Sequence, residues 1–166
     1  MPERLVIANT SPLLYLHLAG HLKILQELYQ RVVIPPAVAA ELAAGRQVGI
    51  EVPEPETFPW ITVQPVQSSA LIPAILDLGF GEAEVIALGL EHPGSLLIID
   101  DRLARRMASV NQLTCTGTLG VLVKAKQAGY LRAVFPVIQR MQSSGIWLSA
   151  DLVAMVLGQA GELPLR

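Results

Sequence analysis

Short apolar runs separated by helix-forming segments recur along the chain. The run at 5–8 shows no alternation of polar and apolar positions, which is typical of a parallel strand covered on both faces. Strands are predicted at 5–8, 32–34, 60–63, 95–99 and 113–115. Helices are predicted at 13–18, 21–29, 37–44, 70–78, 81–91, 102–110, 117–128, 133–142 and 150–157. Strands that alternate with helices predict an α/β class of fold, with three α/β/α layers around a central, mostly parallel sheet.

Turn-forming residues set the expected boundaries of these elements. Ser11 before Pro12 is typical of a helix cap followed by proline at the first helical position. Gly45 is expected to end the helix that starts after the second strand. The stretch 46–59 contains three prolines and three glutamates and is predicted to be an exposed loop. Residues 1–166 are expected to form a single domain, with C-terminal helices near 133–158.

Composition narrows the class of protein. A chain of 166 residues, 52% apolar and 16% charged, can bury a sizeable core and is not intrinsically disordered. Twelve basic and fourteen acidic side chains give a net charge of -2. Because no overall positive field is present, any contact with nucleic acid must be local.

The single cysteine, Cys115, excludes an internal disulfide and a thiolate metal cluster. A reducing, cytoplasmic location is therefore expected. The longest uncharged stretch, 5–22, is interrupted by Asn, Thr, Ser, Pro, His and Gly residues, so it is not expected to span a membrane. His17 and His21 are four residues apart, as in some zinc sites, but Gly20 separates them and a third ligand is missing.

Acidic and amide side chains follow the predicted strands at the edge where parallel α/β sheets bind ligands. Asn9 follows the first strand, and Asp100 and Asp101 follow the fourth. Glu41 lies in the helix after the second strand, and Glu82 lies in the first turn of a later helix. Oxygen ligands gathered in this way suit Mg²⁺ or Mn²⁺, which activate water and stabilise a phosphoryl transition state. Taken singly, each of these residues also suits a helix cap, a turn or a solvated surface.

The order and spacing of these segments resemble those of the PIN-domain family of metal-dependent nucleases. The matching segments are 6–13 (VIANTSPL), 36–42 (PAVAAEL), 81–88 (GEAEVIAL) and 98–106 (IIDDRLARR). A fifth segment, 116–122 (TGTLGVL), is similar to a bacterial and archaeal PIN-like branch described only as predicted nucleic-acid-binding proteins.

The resemblance implies a metal-dependent ribonuclease, and further the toxin of a toxin-antitoxin pair that is held inactive by a small protein. It also implies a homodimer, for which Trp147 and Met155 on the C-terminal helices would supply an apolar surface. Its RNA substrate is expected to be single-stranded or structured. The metal ligands carried over are Asn9, Glu41, Glu82 and Asp101, and the catalytic residues are Glu41, Glu82, Asp100 and Asp101.

Asn9 departs from the family pattern, which has an aspartate at the end of the first strand. An amide keeps one oxygen ligand but loses a charge, so three carboxylates remain where the resemblance implies four. Asp100 is a candidate to restore that charge. Adjacent side chains leave a strand on opposite faces, so only one of Asp100 and Asp101 is expected to face the metal, and Asp101 is preferred.

Hydroxyls and arginines near the same strand ends are candidates to bind nucleic-acid phosphates. Backbone N–H groups at a helix start can hold an anion, although the same residues also serve as ordinary caps. The candidate contacts are Thr10, Ser11, Arg102, Arg105, Thr116 and Thr118. Aromatic residues make up only 5% of the chain, so no stacking platform for bases is evident, and Trp60 and Trp147 are expected to pack or to lie at an interface.

Two alternatives to a ribonuclease remain at this point. The first is a binding module for nucleic acid or protein that has kept the fold and lost its chemistry at Asn9. The second is a phosphoacceptor domain of the receiver type, which also has acids at strand ends. That reading requires a lysine after a late strand, whereas Cys115 is followed by Thr116, Gly117 and Thr118.

Overall fold

The computed structural model describes residues 4–163, and five strands in this part of the chain form one sheet. The strands are β1 (Val6–Ala8), β2 (Val32–Ile34), β3 (Ile61–Val63), β4 (Leu96–Ile98) and β5 (Thr114–Thr116). Their order across the sheet is β3-β2-β1-β4-β5, and every neighbouring pair is parallel. The predicted parallel sheet is therefore confirmed.

Eight α-helices connect the strands or follow the sheet within the described residues. They are α1 (Thr10–Leu18), α2 (Ile24–Tyr29), α3 (Pro36–Gln47), α4 (Phe80–Glu91), α5 (Arg102–Val110), α6 (Thr118–Gln127), α7 (Phe135–Ser143) and α8 (Ala150–Gln159). Helix α4 packs against α3 and α5, and α6 packs against α2 and α8. The sheet and its helices form the three-layer α/β/α architecture predicted from the sequence. None of the helices in residues 4–163 has both the length and the apolar character to cross a membrane.

The core lies on the inner strands. All three residues of β1, β2 and β4 are buried, because helices on both faces exclude water from them. The edge strands differ: Thr62 and Val63 of β3 and Thr114 of β5 are exposed. The continuous apolar runs thus belong to the strands that are covered on both faces.

Four local predictions are corrected by the structure. Helix α1 begins at Thr10 with Asn9 in the cap position, so Ser11 lies inside the helix rather than capping it. Helix α3 continues through Gly45, where an added Cβ would lie 3.1 Å from Val52 Cγ1. Gly49, with φ +83°, follows the end of this helix instead.

The predicted helix at 70–78 is a single 3-10 turn, Ser69–Leu71. Pro73 has no N–H group and prevents the helix from continuing, and Asp77 has a positive φ of 72°. The stretch 46–59 is only partly an exposed loop, because Pro53 and Pro55 are buried and Pro55–Thr57 forms a 3-10 turn.

The path of the chain creates a crevice between β1 and β4. From β1 the chain builds β2 and β3 on one side and then returns to build β4 and β5 on the other. Ala8 pairs with Ile98, and the Asn9 N–H donates to the Ile98 carbonyl at 3.0 Å. Ligands of open parallel sheets bind at such a switch point, beyond the carboxyl ends of the strands. Asn9 and Asp100 flank it.

Candidate functional site

Oxygen atoms from two elements gather around Gly81, at the start of α4. The Glu41 carboxylate accepts a hydrogen bond from the Gly81 N–H at 3.0 Å, and its other oxygen accepts one from the Thr10 hydroxyl. A Cβ added to Gly81 would lie 2.8 and 2.9 Å from the Glu41 oxygens and 3.0 Å from Asn9 Oδ1. Only glycine leaves this space open. We call Asn9, Thr10, Glu41 and Gly81 the amide-carboxylate cluster.

The Asn9 side chain has no obvious structural role. It is 1% exposed, and its Oδ1 accepts no hydrogen bond from any residue in 4–163. Although Asn9 is in the cap position of α1, its side chain makes no capping bond. A buried oxygen without a partner costs about 1–3 kcal/mol, so Asn9 Oδ1 is available to a ligand.

A second polar cluster forms where β4 and β5 end. Asp100 accepts hydrogen bonds from the Thr118 N–H at 2.7 Å and from the Thr118 hydroxyl at 2.6 Å. Arg105 donates to the Ile99 carbonyl at 3.0 Å and so holds the backbone next to Asp100. A Cβ on Gly117 would lie 2.8 Å from Asp100 and 3.1 Å from Arg105. We call Asp100, Arg105, Gly117 and Thr118 the aspartate-threonine cluster.

Asp101 and Glu82 lie at helix starts, apart from these contacts. Asp101 is exposed and caps α5, with Oδ1 accepting from the Ala104 N–H at 2.8 Å. Glu82 folds back over Gly79, the cap residue of α4. Asp100 is thus held against the start of α6, whereas Asp101, the residue that the sequence argument preferred as a metal ligand, is exposed and uses one oxygen in its cap bond. The preference for Asp101 stays a prediction. The alternation of side chains along a strand predicts that these two residues point in opposite directions, but the turn after β4 decides which one faces inward.

The residues expected to contact phosphate have different surroundings. Thr118 is buried, and both its N–H and its hydroxyl are occupied by Asp100, so the start of α6 is closed to an external anion. Thr10 binds Glu41, and Ser11 is half-buried inside α1. Arg102, Arg105 and Thr116 line a cleft beside Asp100. Of the six candidates, Arg102 and Thr116 remain open to a ligand, and Arg105 keeps the N–H groups that it does not donate to the Ile99 carbonyl.

Three residues that shape the candidate site were not assigned this role from the sequence. Gly81 and Gly117 make room for carboxylates. Gly81 stands next to Glu82 in the sequence, but Gly117 lies between two threonines and far from any acidic residue, so no local signal identifies it. Glu84 accepts from the Ala37 N–H at 2.8 Å and stabilises the start of α3, the helix that carries Glu41.

The donor set fits a divalent cation in part. The unpaired Asn9 oxygen and the two Glu41 oxygens lie close together beside Gly81, and such hard oxygen donors suit Mg²⁺ or Mn²⁺. Within residues 4–163, however, no three His, Cys, Asp or Glu side chains are grouped closely enough to hold a metal. The structure therefore assembles an amide and a carboxylate, but not the complete set of carboxylates expected from the resemblance.

A parallel α/β sheet with polar side chains at its switch point is the architecture of many enzymes that bind phosphates and metals. A family model described as a PIN domain matches residues 5–162. The chain belongs to the PIN-domain family, and its fold is nuclease-like. Comparison with curated proteins and with solved structures gives no significant match.

Proposed function

We propose that the chain is a Mg²⁺- or Mn²⁺-dependent ribonuclease. The observation that carries this proposal is the buried, unpaired Asn9 oxygen, which lies close to both Glu41 oxygens beside Gly81. A cation bound by both residues would satisfy the amide oxygen and the carboxylate together. When bound, it supplies the positive charge that lowers the pKa of water and stabilises the phosphoryl transition state.

The protein side chains have separate roles in this proposal. Asn9 and Glu41 hold the ion, and the Thr10 hydroxyl and the Gly81 N–H fix the orientation of the Glu41 carboxylate. Asp100 adds negative charge from the neighbouring strand end, and Thr118 keeps it in place. Glu82 and Asp101, which the resemblance also implies as metal ligands, lie at the helix starts next to these clusters.

Local positive charge supports a nucleic-acid substrate. Arg102 and Arg105 follow the Asp pair on α5 and line the cleft beside Asp100. A guanidinium binds a phosphate through two parallel hydrogen bonds, which suits a backbone contact next to the proposed ion. Family membership supports the further proposal that the chain is the toxin of a toxin-antitoxin pair, restrained by a small protein, and that it forms a homodimer.

A cleavage assay tests the ribonuclease proposal. Labelled RNA and DNA of matched sequence are incubated with Mg²⁺, Mn²⁺ or a chelator. We expect RNA cleavage that the chelator abolishes and that Glu41→Gln reduces by about a hundredfold or more. Glu27→Gln is the matched control, because Glu27 lies on α2, which leads into the amino end of β2. Cleavage that persists in Glu41→Gln, or in the chelator, contradicts the proposal.

A second candidate is a nucleic-acid-binding module with weak or absent catalysis. The neutral side chain of Asn9 favours this candidate. So does the finding that no three His, Cys, Asp or Glu side chains in residues 4–163 lie close enough together to hold a metal. Asn9→Asp separates the two candidates, because it restores the charge that tightens cation binding. A rise in cleavage identifies a nuclease limited by that charge, whereas RNA binding without turnover in both proteins identifies the module.

A further inference from the structure

The amino ends of the strands form a separate surface, at the edge of the sheet opposite Asn9 and Asp100. A cavity of about 240 Å³ lies there between β1, β4 and the helices α2 and α6. Its apolar lining consists of Val6, Leu28 and Leu96. The cavity is smaller than the roughly 300–1,000 Å³ of sites for drug-sized molecules, so a ligand that fits it is small.

Two basic side chains line this cavity, and within residues 4–163 no acidic side chain does. Arg4 comes just before β1, and Lys124 lies on α6. Neither forms an ion pair with another residue in the same range, whereas Lys126, on the same helix, pairs with Glu162 at 3.1 Å. The described residues therefore leave positive charge unpaired at this cavity, although the whole chain has a net charge of -2.

Both cations are held in place by contacts that leave hydrogen-bond donors free. Arg4 Nε donates to the Gly94 carbonyl at 3.1 Å, and the remaining guanidinium N–H groups are available to a ligand. Lys124 Nζ lies 5.2 Å from the centroid of the Tyr29 ring, which is the distance of a cation–π contact. The ring face does not use all the N–H groups of the ammonium. The two cations are thus positioned before a ligand arrives.

Tyr29 adds a neutral donor beside the two cations. Burial raises the pKa of its hydroxyl above the ordinary value of 10.0, and the charge of Arg4 acts in the opposite direction. The hydroxyl is therefore protonated at neutral pH and can donate to an anion. The Arg4 guanidinium and the Lys124 ammonium both lie near this one aromatic side chain.

We propose that this cavity binds a small phosphate, either a phosphate monoester or the free ion, at a site separate from the proposed catalytic one. Two cations and a hydroxyl match the charge of about −1.5 to −2 and the acceptor oxygens that a phosphate monoester has at neutral pH. A diester in a nucleic-acid backbone has a single charge for each phosphate and matches the pair of cations less well. The apolar lining excludes water and so strengthens the attraction. The inference does not depend on cleavage of RNA.

Calorimetric titration of the full chain in chelator tests this site without any turnover. The probes are glycerol 3-phosphate, inorganic phosphate and the diester dimethyl phosphate. We expect saturable binding of glycerol 3-phosphate, about tenfold weaker in Arg4→Gln and in Lys124→Gln and lost in the double variant, because each change removes a charged donor. We expect Tyr29→Phe, which removes a neutral donor, to weaken binding by about threefold. Dimethyl phosphate is expected to bind at least about tenfold more weakly than glycerol 3-phosphate.

The two small phosphates distinguish the source of the ligand. Tighter binding of glycerol 3-phosphate supports an organic phosphate, and equal binding of inorganic phosphate supports the free ion. Lys23→Gln is the matched control, because Lys23 is an exposed lysine at the opposite end of α2 from Tyr29. We expect this variant to bind as the wild type does. Melting temperatures without ligand identify any variant whose fold is altered, and Tyr29→Phe keeps the ring under Lys124.

Several results would overturn the proposal. One is the lack of saturable binding of either small phosphate to the wild type, and another is equal binding by the wild type and the double variant. A loss in Lys23→Gln as large as that in Lys124→Gln would assign the binding to general surface charge. RNA binding that depends on Arg4 and Lys124, without binding of a small phosphate, would assign these cations to a nucleic-acid backbone. Because the titration needs no metal, its failure leaves the ribonuclease proposal to be decided by the cleavage assay.

Discussion

Removing the Asp100 side chain is expected to destabilise the fold more than removing its neighbour. In Asp100→Ala, the N–H and the hydroxyl of the buried Thr118 lose their charged acceptor. Hydrogen bonds to charged groups contribute about 1.5–3 kcal/mol each, and the two bonds share one carboxylate. We therefore expect a loss of about 3 kcal/mol in the free energy of unfolding.

Asp101→Ala is the matched comparison, because it removes the adjacent carboxylate from an exposed cap. Its single bond to the Ala104 N–H is a typical helix cap, and such caps contribute about 1 kcal/mol. For a chain of this length, 1 kcal/mol shifts the melting temperature by about 2–4 °C. We expect a decrease of about 2–4 °C for Asp101→Ala and about 6–12 °C for Asp100→Ala.

Thermal unfolding followed by circular dichroism, together with urea titration, measures both variants. Asp100→Asn keeps the shape and one acceptor oxygen, so we expect it to fall between the wild type and Asp100→Ala. An Asp101→Ala variant that loses as much stability as Asp100→Ala would refute the assignment of Asp100 as the inward-facing, doubly bonded residue.

Two further predictions concern a site glycine and the C-terminal segment. Gly81→Ala places a Cβ within 3.0 Å of Asn9 Oδ1 and closer still to Glu41, so we expect weaker Mn²⁺ binding in a calorimetric titration, and unchanged binding would contradict the cluster. Burial alone would raise the pKa of Glu162, but bonds from two backbone N–H groups and the Lys126 ammonium lower it below its ordinary value of 4.5. A lowered pKa stabilises the fold above the unfolded value and loses that effect as the pH falls through the folded value. We therefore expect Glu162→Gln to be less stable than the wild type at neutral pH, with a difference that shrinks in acid below pH 4.5; a constant difference in urea titrations would contradict this.

The sequence was sufficient to predict the sheet, because apolar runs covered on both faces have a simple pattern. Strand order and crevice position depend on long-range pairing, such as Ala8 with Ile98, which no local pattern specifies. Alternation predicted that Asp100 and Asp101 diverge, but their directions depend on the bonds to Thr118 and Ala104.

In the candidate site, too, contacts between distant parts of the chain could not be predicted from local sequence patterns. Glu82 was predicted in the first turn of a helix and lies there. Asp101 was predicted from its position after a strand, yet it caps α5, where orphan N–H groups compete for carboxylates. The anion site expected at Thr116 to Thr118 is closed at Thr118 by Asp100, an internal partner 18 residues away in the chain. The exposure of Trp147 depends on the α7–α8 connection and could not be deduced from a low aromatic content.

Binding of Mn²⁺ to the purified protein tests the central claim most directly. Electron paramagnetic resonance of free Mn²⁺ during a titration counts the bound ions without requiring any turnover. We predict a site in the wild type that Glu41→Gln abolishes and that Asn9→Asp tightens, while Glu27→Gln binds as the wild type does. Equal Mn²⁺ binding by the wild type and Glu41→Gln, or none in either the wild type or Asn9→Asp, would contradict the account.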